Sequence, residues 1–401
     1  MIDTFYHALV IYVAFYPIVT SLMWAVFSLT YKIRWEEHHH ERFPPHKPSV
    51  TILIPAYNEG KLIEHGLAAV SKLEYPDYEV IIINDGSRDD TLEQIQPFLK
   101  DPRFRLLNKI KNQGKALALN DVIAIANGEI IIILDADAEP ASDFLHHMTW
   151  HFQHARVGAV TGHPRVKNTT NFLTRIQIIE FASIIGLLRR SQRIWGRIVT
   201  VSGIAAAFRK EALYDVRAFR PEMYTEDIDI TWRLEKRHWD IRYEPRAVVW
   251  MHVPDTLKDF FRQRLRWGRG LLQVLRVHAD VMGNWHLRRM WPMYVESCLS
   301  TLWNTAYGIV VIIELVLFRY GSPIFSPYYF WTMLMATICL VQLFIGGLLE
   351  RKHDRDIFRY FGYAIFYPLF YWMFMFFVTW AALPVLWRKM HKIVQWSSER
   401  R

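Results

Sequence analysis

An α/β domain set between membrane-spanning helices is the fold class the sequence predicts, on three observations. Four apolar stretches are long enough to cross or enter a bilayer, whose hydrocarbon core about 20 apolar residues span. From residue 48 to about residue 250, short apolar runs alternate with amphipathic stretches, the pattern of βαβ units on a mostly parallel sheet. Two more stretches, Phe172 to Ile198 and Leu257 to Val277, mix apolar residues with arginines as helices lying in a membrane interface do.

The apolar stretches run Ala8 to Tyr31, Val295 to Phe318, Tyr328 to Leu349 and Tyr360 to Trp387. Composition agrees, since 52% hydrophobic residues with 15% aromatic is rich for a soluble chain. The first stretch has no positively charged leader or small-residue cleavage site, so residues 1–31 are expected to be a retained anchor. Lys32 and Arg34 follow it and, by the positive-inside rule, place the chain beyond residue 31 in the cytosol, with residues 32–47 as a juxtamembrane linker. The basic Arg351 to Arg359 loop fits that orientation after two further crossings. A single crossing by the last stretch would carry Arg388, Lys389, Lys392, Arg400 and Arg401 outward, against the rule. Pro368 and Pro384 can instead break it into re-entrant or interfacial pieces, which leaves the side of the C-terminus open. The net charge of +9 therefore reads as a membrane-surface feature, with lipid rather than nucleic acid as its partner. Cys298 and Cys339 both lie in apolar stretches and predict packing, not a disulfide or a metal site.

In the soluble middle, Ser49 to Pro55, Tyr78 to Asn84, Phe104 to Asn108 and Glu129 to Leu134 read as strands. Each is followed by polar or glycine-containing residues: Ala56 to Gly60, Asp85-Gly86-Ser87, Asn112 to Lys115, and Asp135-Ala136-Asp137. Open α/β sheets bind ligands at the carboxyl ends of their strands, so these four loops are expected to meet at one crevice.

Asp135 and Asp137 stand two apart after an apolar strand, so extended backbone points both carboxylates the same way. That suits Mg²⁺ or Mn²⁺ completed by a diphosphate, and equally a strand-ending turn. Asp85 can accept hydrogen bonds from a base or ribose, with Pro55, Tyr57 and Glu59 beside the same nucleoside and Tyr57 as its stacking face; ordinary turns explain these loops as well. Lys115, next to Gly114, fits a phosphate or base contact or a solvated lysine. Thr225-Glu226-Asp227 opens an amphipathic stretch as a helix N-cap with acids in its first turn, or supplies Asp227 as a general base beside Glu226. Gln263, Arg266 and Trp267 share one helical face and offer an amide, a guanidinium suited to diphosphate and an indole on which a sugar can stack, or else make a basic interfacial helix with a tryptophan anchor.

Taken in order, Asp85, Asp135-Ala136-Asp137, Thr225-Glu226-Asp227 and Gln263-Arg264-Leu265-Arg266-Trp267 resemble the motif series of processive family 2 glycosyltransferases, the group of cellulose, chitin and hyaluronan synthases. Val157 to Gly162 with Pro164-Arg165, Ile185 to Leu188 with Gln192-Arg193, and Thr200-Val201-Ser202-Gly203 through Arg209 are similar to the bacterial poly-β-1,6-N-acetyl-D-glucosamine synthases within it, over roughly residues 48 to 290. The resemblance implies an α/β nucleotide-diphospho-sugar transferase (GT-A type) fold, UDP-N-acetylglucosamine as donor, a growing polysaccharide chain as acceptor, Mg²⁺ (or Mn²⁺), and inversion at the anomeric carbon. It implies that Asp85 contacts uridine, that Asp135 and Asp137 serve nucleotide and metal, and that Asp227 is the base with Glu226 beside it. Arg165, Ser202 and Gly203 join the substrate site, while Gln263, Arg266 and Trp267 line the diphosphate and acceptor. A bacterial inner-membrane, multi-pass protein with residues 48–255 as a cytosolic domain, 256–290 as an interface region and 291–401 as a C-terminal membrane region is then expected.

The sequence departs from the family in carrying Asn84-Asp85-Gly86 where many members have two acids, in a single N-terminal apolar segment, and in having no appended cyclic-di-GMP-binding domain. Regulation would then fall to a partner, such as a small membrane accessory subunit acting with cyclic di-GMP. His38-His39-His40 reads as linker rather than metal site, and Glu296 and Glu314 inside apolar segments are candidates for a polar translocation path, Glu296 also fitting an interfacial position. Three rivals stay open: hyaluronan, chitin or cellulose synthesis, single transfer to a polyprenyl phosphate, and a non-catalytic nucleotide-sugar-binding scaffold.

Overall fold

The structure, a computed structural model, describes residues 2–36, 47–319, 327–351, 357–387 and 393–395. The His38 to His40 run lies outside the described residues. Eight strands form one sheet: β1 (Val50–Ala56), β2 (Tyr78–Asn84), β3 (Phe104–Asn108), β4 (Ile130–Leu134), β5 (Glu139–Pro140), β6 (Val157–Val166), β7 (Ala205–Arg209) and β8 (Asp240–Met251), in the order β3-β2-β1-β4-β7-β6-β8-β5. The first four in chain order that were expected are parallel to one another, with Val50 opposite both Tyr78 and Ile130. Beyond β4 the sheet is mixed, because β7 runs antiparallel to both β4 and β6. Those later strands escape a parallel-only reading because antiparallel neighbours need no crossover helix to announce them.

Alternation along the strands explains why they read as unbroken apolar runs. Ile52, Ile54, Val80, Ile82, Ile130 and Ile132 point to one core, with Leu67, Val70 and Phe144 of the covering helices. Leu53, Ile81, Ile83, Ile131 and Ile133 point to the other, with Leu119, Val122, Ile230 and Leu234. A sheet covered on both faces needs apolar residues at every position.

Among the described residues three helices are long and apolar enough to cross a membrane, Thr4–Glu36, Trp285–Arg319 and Phe330–Glu350. The stretch from Tyr360 to Trp387 changes helical type along its length, through Phe361–Ile365, Tyr367–Tyr371, Trp372–Ala382 and Leu383–Trp387, with a proline in the second and the last, and its apolar helix Trp372–Trp387 is shorter than the long ones. Both acids of the second long helix meet tyrosines of the first, Glu314 accepting from the Tyr6 hydroxyl and Glu296 from Tyr16 at 3.4 Å.

The α/β domain is tied to these helices through a buried ionic knot. Arg190, fully buried, donates to Glu36 at 2.6 Å and to Glu350 at 2.5 Å, and His163 of β6 lies 2.9 Å from the same Glu350. The arginines of the Phe172–Trp195 region, expected to face lipid headgroups, in part turn inward: Arg189 and Arg190 are buried and Arg193 pairs with Asp240 at 2.8 Å. A guanidinium inside protein is tolerable only with such partners.

Candidate active site

The carboxyl ends of β1, β2 and β4 do converge. The Asp85 amide donates to the carbonyl of Ala56 at the end of β1, where Pro55 sits opposite Ile83. Tyr57 is half-buried in the loop that follows, and the Glu59 amide donates to the Thr91 hydroxyl at 2.9 Å. The Asp85 carboxylate is fully buried and accepts from the amides of Gln113 at 3.0 Å and Gly114 at 2.8 Å. Its visible work is thus to shape the Asn112 to Lys115 loop, and Gly114, with φ of +93°, supplies the turn a side chain would strain.

That loop aims Lys115 at the next. Its ammonium donates to Asp135 Oδ1 at 2.6 Å and to the Gly203 carbonyl at 3.1 Å, and lies 3.6 Å from Glu226. The stretch does not run extended but turns, the Ala138 amide donating to the Asp135 carbonyl at 3.0 Å, with Asp135 and Asp137 partly exposed and Ala136 and Ala138 buried. Asp137 accepts from the His252 amide at 3.3 Å. A small cleft opens beside Lys115, lined by Ser202, Gly203, Glu226 and Asp227 on one side and by Leu119, Ile133, Val201, Phe208 and Phe219 of the core on the other.

Asp227 sits in the first turn of the Glu226–Lys236 helix, accepting from the amides of Ile228 at 2.9 Å and Gly203 at 3.2 Å. Thr225 occupies the N-cap without a side-chain capping bond and packs instead on Gly270. Burial pushes the Asp227 carboxyl up to about 6, with Glu226 adding to the shift and Lys115 and Arg266 opposing it. Burial also raises Asp135, opposed by Lys115 and assisted by Asp137. Burial works against the charge on Lys115, yet Asp135, Glu226 and Asp227 hold its ammonium above the usual lysine range. A cluster of carboxylates held together by one cation is suited to receiving another, and the pair Asp135 and Asp137 fits a hard divalent ion whose remaining ligands are phosphate oxygens. Among the described residues no group of three or more His, Cys, Asp or Glu could hold a metal without such help.

The Leu257–Val277 helix brings the last face to the cleft. Thr256 caps it at Asp259, and Gly270 lets it approach Thr225 so closely that a Cβ would lie 2.2 Å from the threonine hydroxyl. Arg266 acts electrostatically on Asp227, Trp267 packs beside Ile204, Met251 and Val253, and Gln263 Oε1 is buried without a hydrogen-bond partner. Arg165 is not brought to the cleft: it is buried on β6, 3.6 Å from Glu350. Residues 393–395 return to the site from the far end of the chain. The Val394 amide donates to the Pro221 carbonyl at 2.9 Å, and the Val394 carbonyl would lie 2.3 Å from a Cβ at Gly114.

A mixed α/β sheet ending in a paired-aspartate loop, with Lys115 paired to Asp135 and half-buried Asp227 beside Gly203, is the architecture of a GT-A-type glycosyltransferase. The chain belongs to glycosyl transferase family 2, whose description matches residues 51–217, and it is accordingly a hexosyltransferase. It is 34% identical over 413 residues to a poly-beta-1,6-N-acetyl-D-glucosamine synthase of Staphylococcus epidermidis, spanning 97% of this chain and 98% of that one. The synthase of the same name from Staphylococcus aureus is 33% identical over 411 residues, with the same shares covered. The fold is shared with a mannosyltransferase from Pyrobaculum calidifontis solved in complex with GDP-Man and Mn²⁺, at a TM-score of 0.62 over 84% of this chain and 97% of that one, with 22% identity.

Proposed function

We propose that this enzyme polymerises N-acetylglucosamine from UDP-N-acetylglucosamine into a β-1,6-linked exopolysaccharide of the biofilm-matrix kind, processively and with inversion, on the cytosolic face of a bacterial inner membrane. The carrying observation is Asp227, half-buried and lining the cleft with Lys115, in a chain similar along almost its whole length to synthases of that polymer.

In each step the acceptor hydroxyl oxygen forms a bond to the anomeric carbon as the bond from that carbon to the diphosphate oxygen breaks. The hydroxyl proton passes to Asp227, and UDP departs with the bonding electron pair. Direct displacement from the opposite face accounts for inversion and needs no covalent enzyme intermediate. Asp227 suits the base because its carboxylate is ionised near neutrality yet basic enough to take the proton. Asp135 and Asp137 would hold a divalent cation, Mg²⁺ or Mn²⁺, which when bound supplies neutralising charge to the diphosphate. Lys115 and Arg266 place fixed positive charge where the leaving group gathers negative charge. Trp267 offers a stacking face to the acceptor sugar, with the Gln263 amide beside it. Asp85 acts on the nucleoside by setting the loop that carries Gly114 and Lys115.

Membranes carrying the protein, given radiolabelled UDP-N-acetylglucosamine alone, are expected to make a polymer that a β-1,6-specific hydrolase degrades. A polymer resistant to that hydrolase, or a single sugar on an extractable lipid, would overturn the reading.

A further inference from the structure

Resting on the reading of Trp267 as the acceptor platform, we propose that Arg264 is a positioning residue for acceptor binding, fixing one face of the Trp267 indole so that the other is presented to sugar. Arg264 is not part of the Gln263, Arg266 and Trp267 face. It is 2% exposed, and its guanidinium carbon lies 4.2 Å from the centre of the Trp267 ring. The rings of Phe260 at 4.8 Å and Tyr371 at 5.8 Å close the cage around it.

A buried guanidinium must be anchored, and here the anchor comes from two other elements. Glu180 Oε2 accepts from Arg264 at 2.7 Å, while Glu180 Oε1 accepts from the Tyr371 hydroxyl at 2.7 Å. Glu180 opens a π-helical turn, Glu180–Ile185, that interrupts the helix from Phe172, an irregularity found often where a side chain must be re-aimed. Arg264 Nε finds no hydrogen-bond acceptor, so the stacking is what that edge of the guanidinium is given. Trp267 itself stays half-buried, with one side on Arg264 and the Phe181, Met251 and Val253 cluster. Guanidinium planes stack on indole in preference to other rings, which locks the ring orientation.

The test uses the purified full-length protein in detergent with N-acetylglucosamine oligosaccharides as acceptor, measuring KM for donor and acceptor separately. Arg264→Met is expected to raise the acceptor KM about tenfold, the size of one desolvated cation–π contact, with the donor KM and acceptor-independent donor hydrolysis unchanged. Arg264→Lys, which keeps the charge opposite Glu180 but not the plane, should fall between. In a Trp267→Ala background Arg264→Met should add nothing, as a residue acting through Trp267 must. An acceptor KM within about twofold of the parent, donor and acceptor values rising together, or full additivity with Trp267→Ala would each overturn the proposal. If Trp267→Ala itself leaves the acceptor KM unmoved in an active enzyme, the acceptor reading beneath it falls. Should Arg264→Met not fold, Tyr371→Phe removes one bond to Glu180 and leaves the ion pair; its acceptor KM should rise severalfold, and an unchanged value would overturn the proposal.

Discussion

At the scale of single residues, Asp227 and Lys115 carry the sharpest expectations. Asp227→Asn should lower transfer by about 10²- to 10⁴-fold while UDP-N-acetylglucosamine binding, followed by calorimetry, is largely kept. Because burial disfavours the ionised carboxylate, the same variant should melt at or above the parent temperature at pH 7, which separates lost chemistry from lost fold. The raised value also sets a pH limb: below about 6 Asp227 takes up a proton and can no longer accept one, so kcat/KM should fall tenfold per pH unit there and level off above. Lys115→Met leaves Asp135 and Glu226 without their amine and should cost about 10²-fold in kcat, seen in steady-state transfer rates. Lys115 was legible because it stands in a glycine-bearing loop after a strand, and Asp227 because it sits in an acidic string that matches the family's motif series. Arg165 was not, since its partner Glu350 lies 185 positions away and nothing local signals the pairing.

At the scale of elements, what mattered was how helices seat against the loops. Gly270→Ala would drive a methyl into Thr225, and should destabilise the fold by about 1–3 kcal/mol in thermal unfolding while lowering kcat, because the start of the Asp227 helix must move. Glu180→Ala strands Arg264 in a buried site and should cost about 3–5 kcal/mol, against far less for a surface pair such as Arg262 with Asp259. The strands from Val50 to Leu134 could be placed almost to the residue, since β-branched runs ending in glycine or aspartate have few competing readings. The inward turn of Arg189, Arg190 and Arg264 could not. Periodicity puts arginine on the polar face of a helix, and only a distant acid reveals that this face is a second interior. A lone Glu180 among Ile176, Ile179 and Phe181 was the available hint, because an acid on an apolar face must be paired.

For the molecule as a whole, three long apolar helices and a segmented fourth stretch put residues 393–395 back on the α/β domain, against Pro221 and Gly114. An epitope tag at the C-terminus should therefore be reached by antibody from the same side of sealed vesicles as an epitope in the Glu59 loop; opposite sidedness would count against three crossings. Flanking charge alone left that side open, because the deciding contact lies between parts of the chain far apart in sequence. The knot of Glu36, Arg190 and Glu350 has a further consequence. The ends of the first and third long apolar helices grip one guanidinium, so the α/β domain is held to those helices on legs rather than on a leash. On the proposed function, a product lengthening there would meet a stationary stage, and each advance would be made by the polymer sliding, not by the domain climbing.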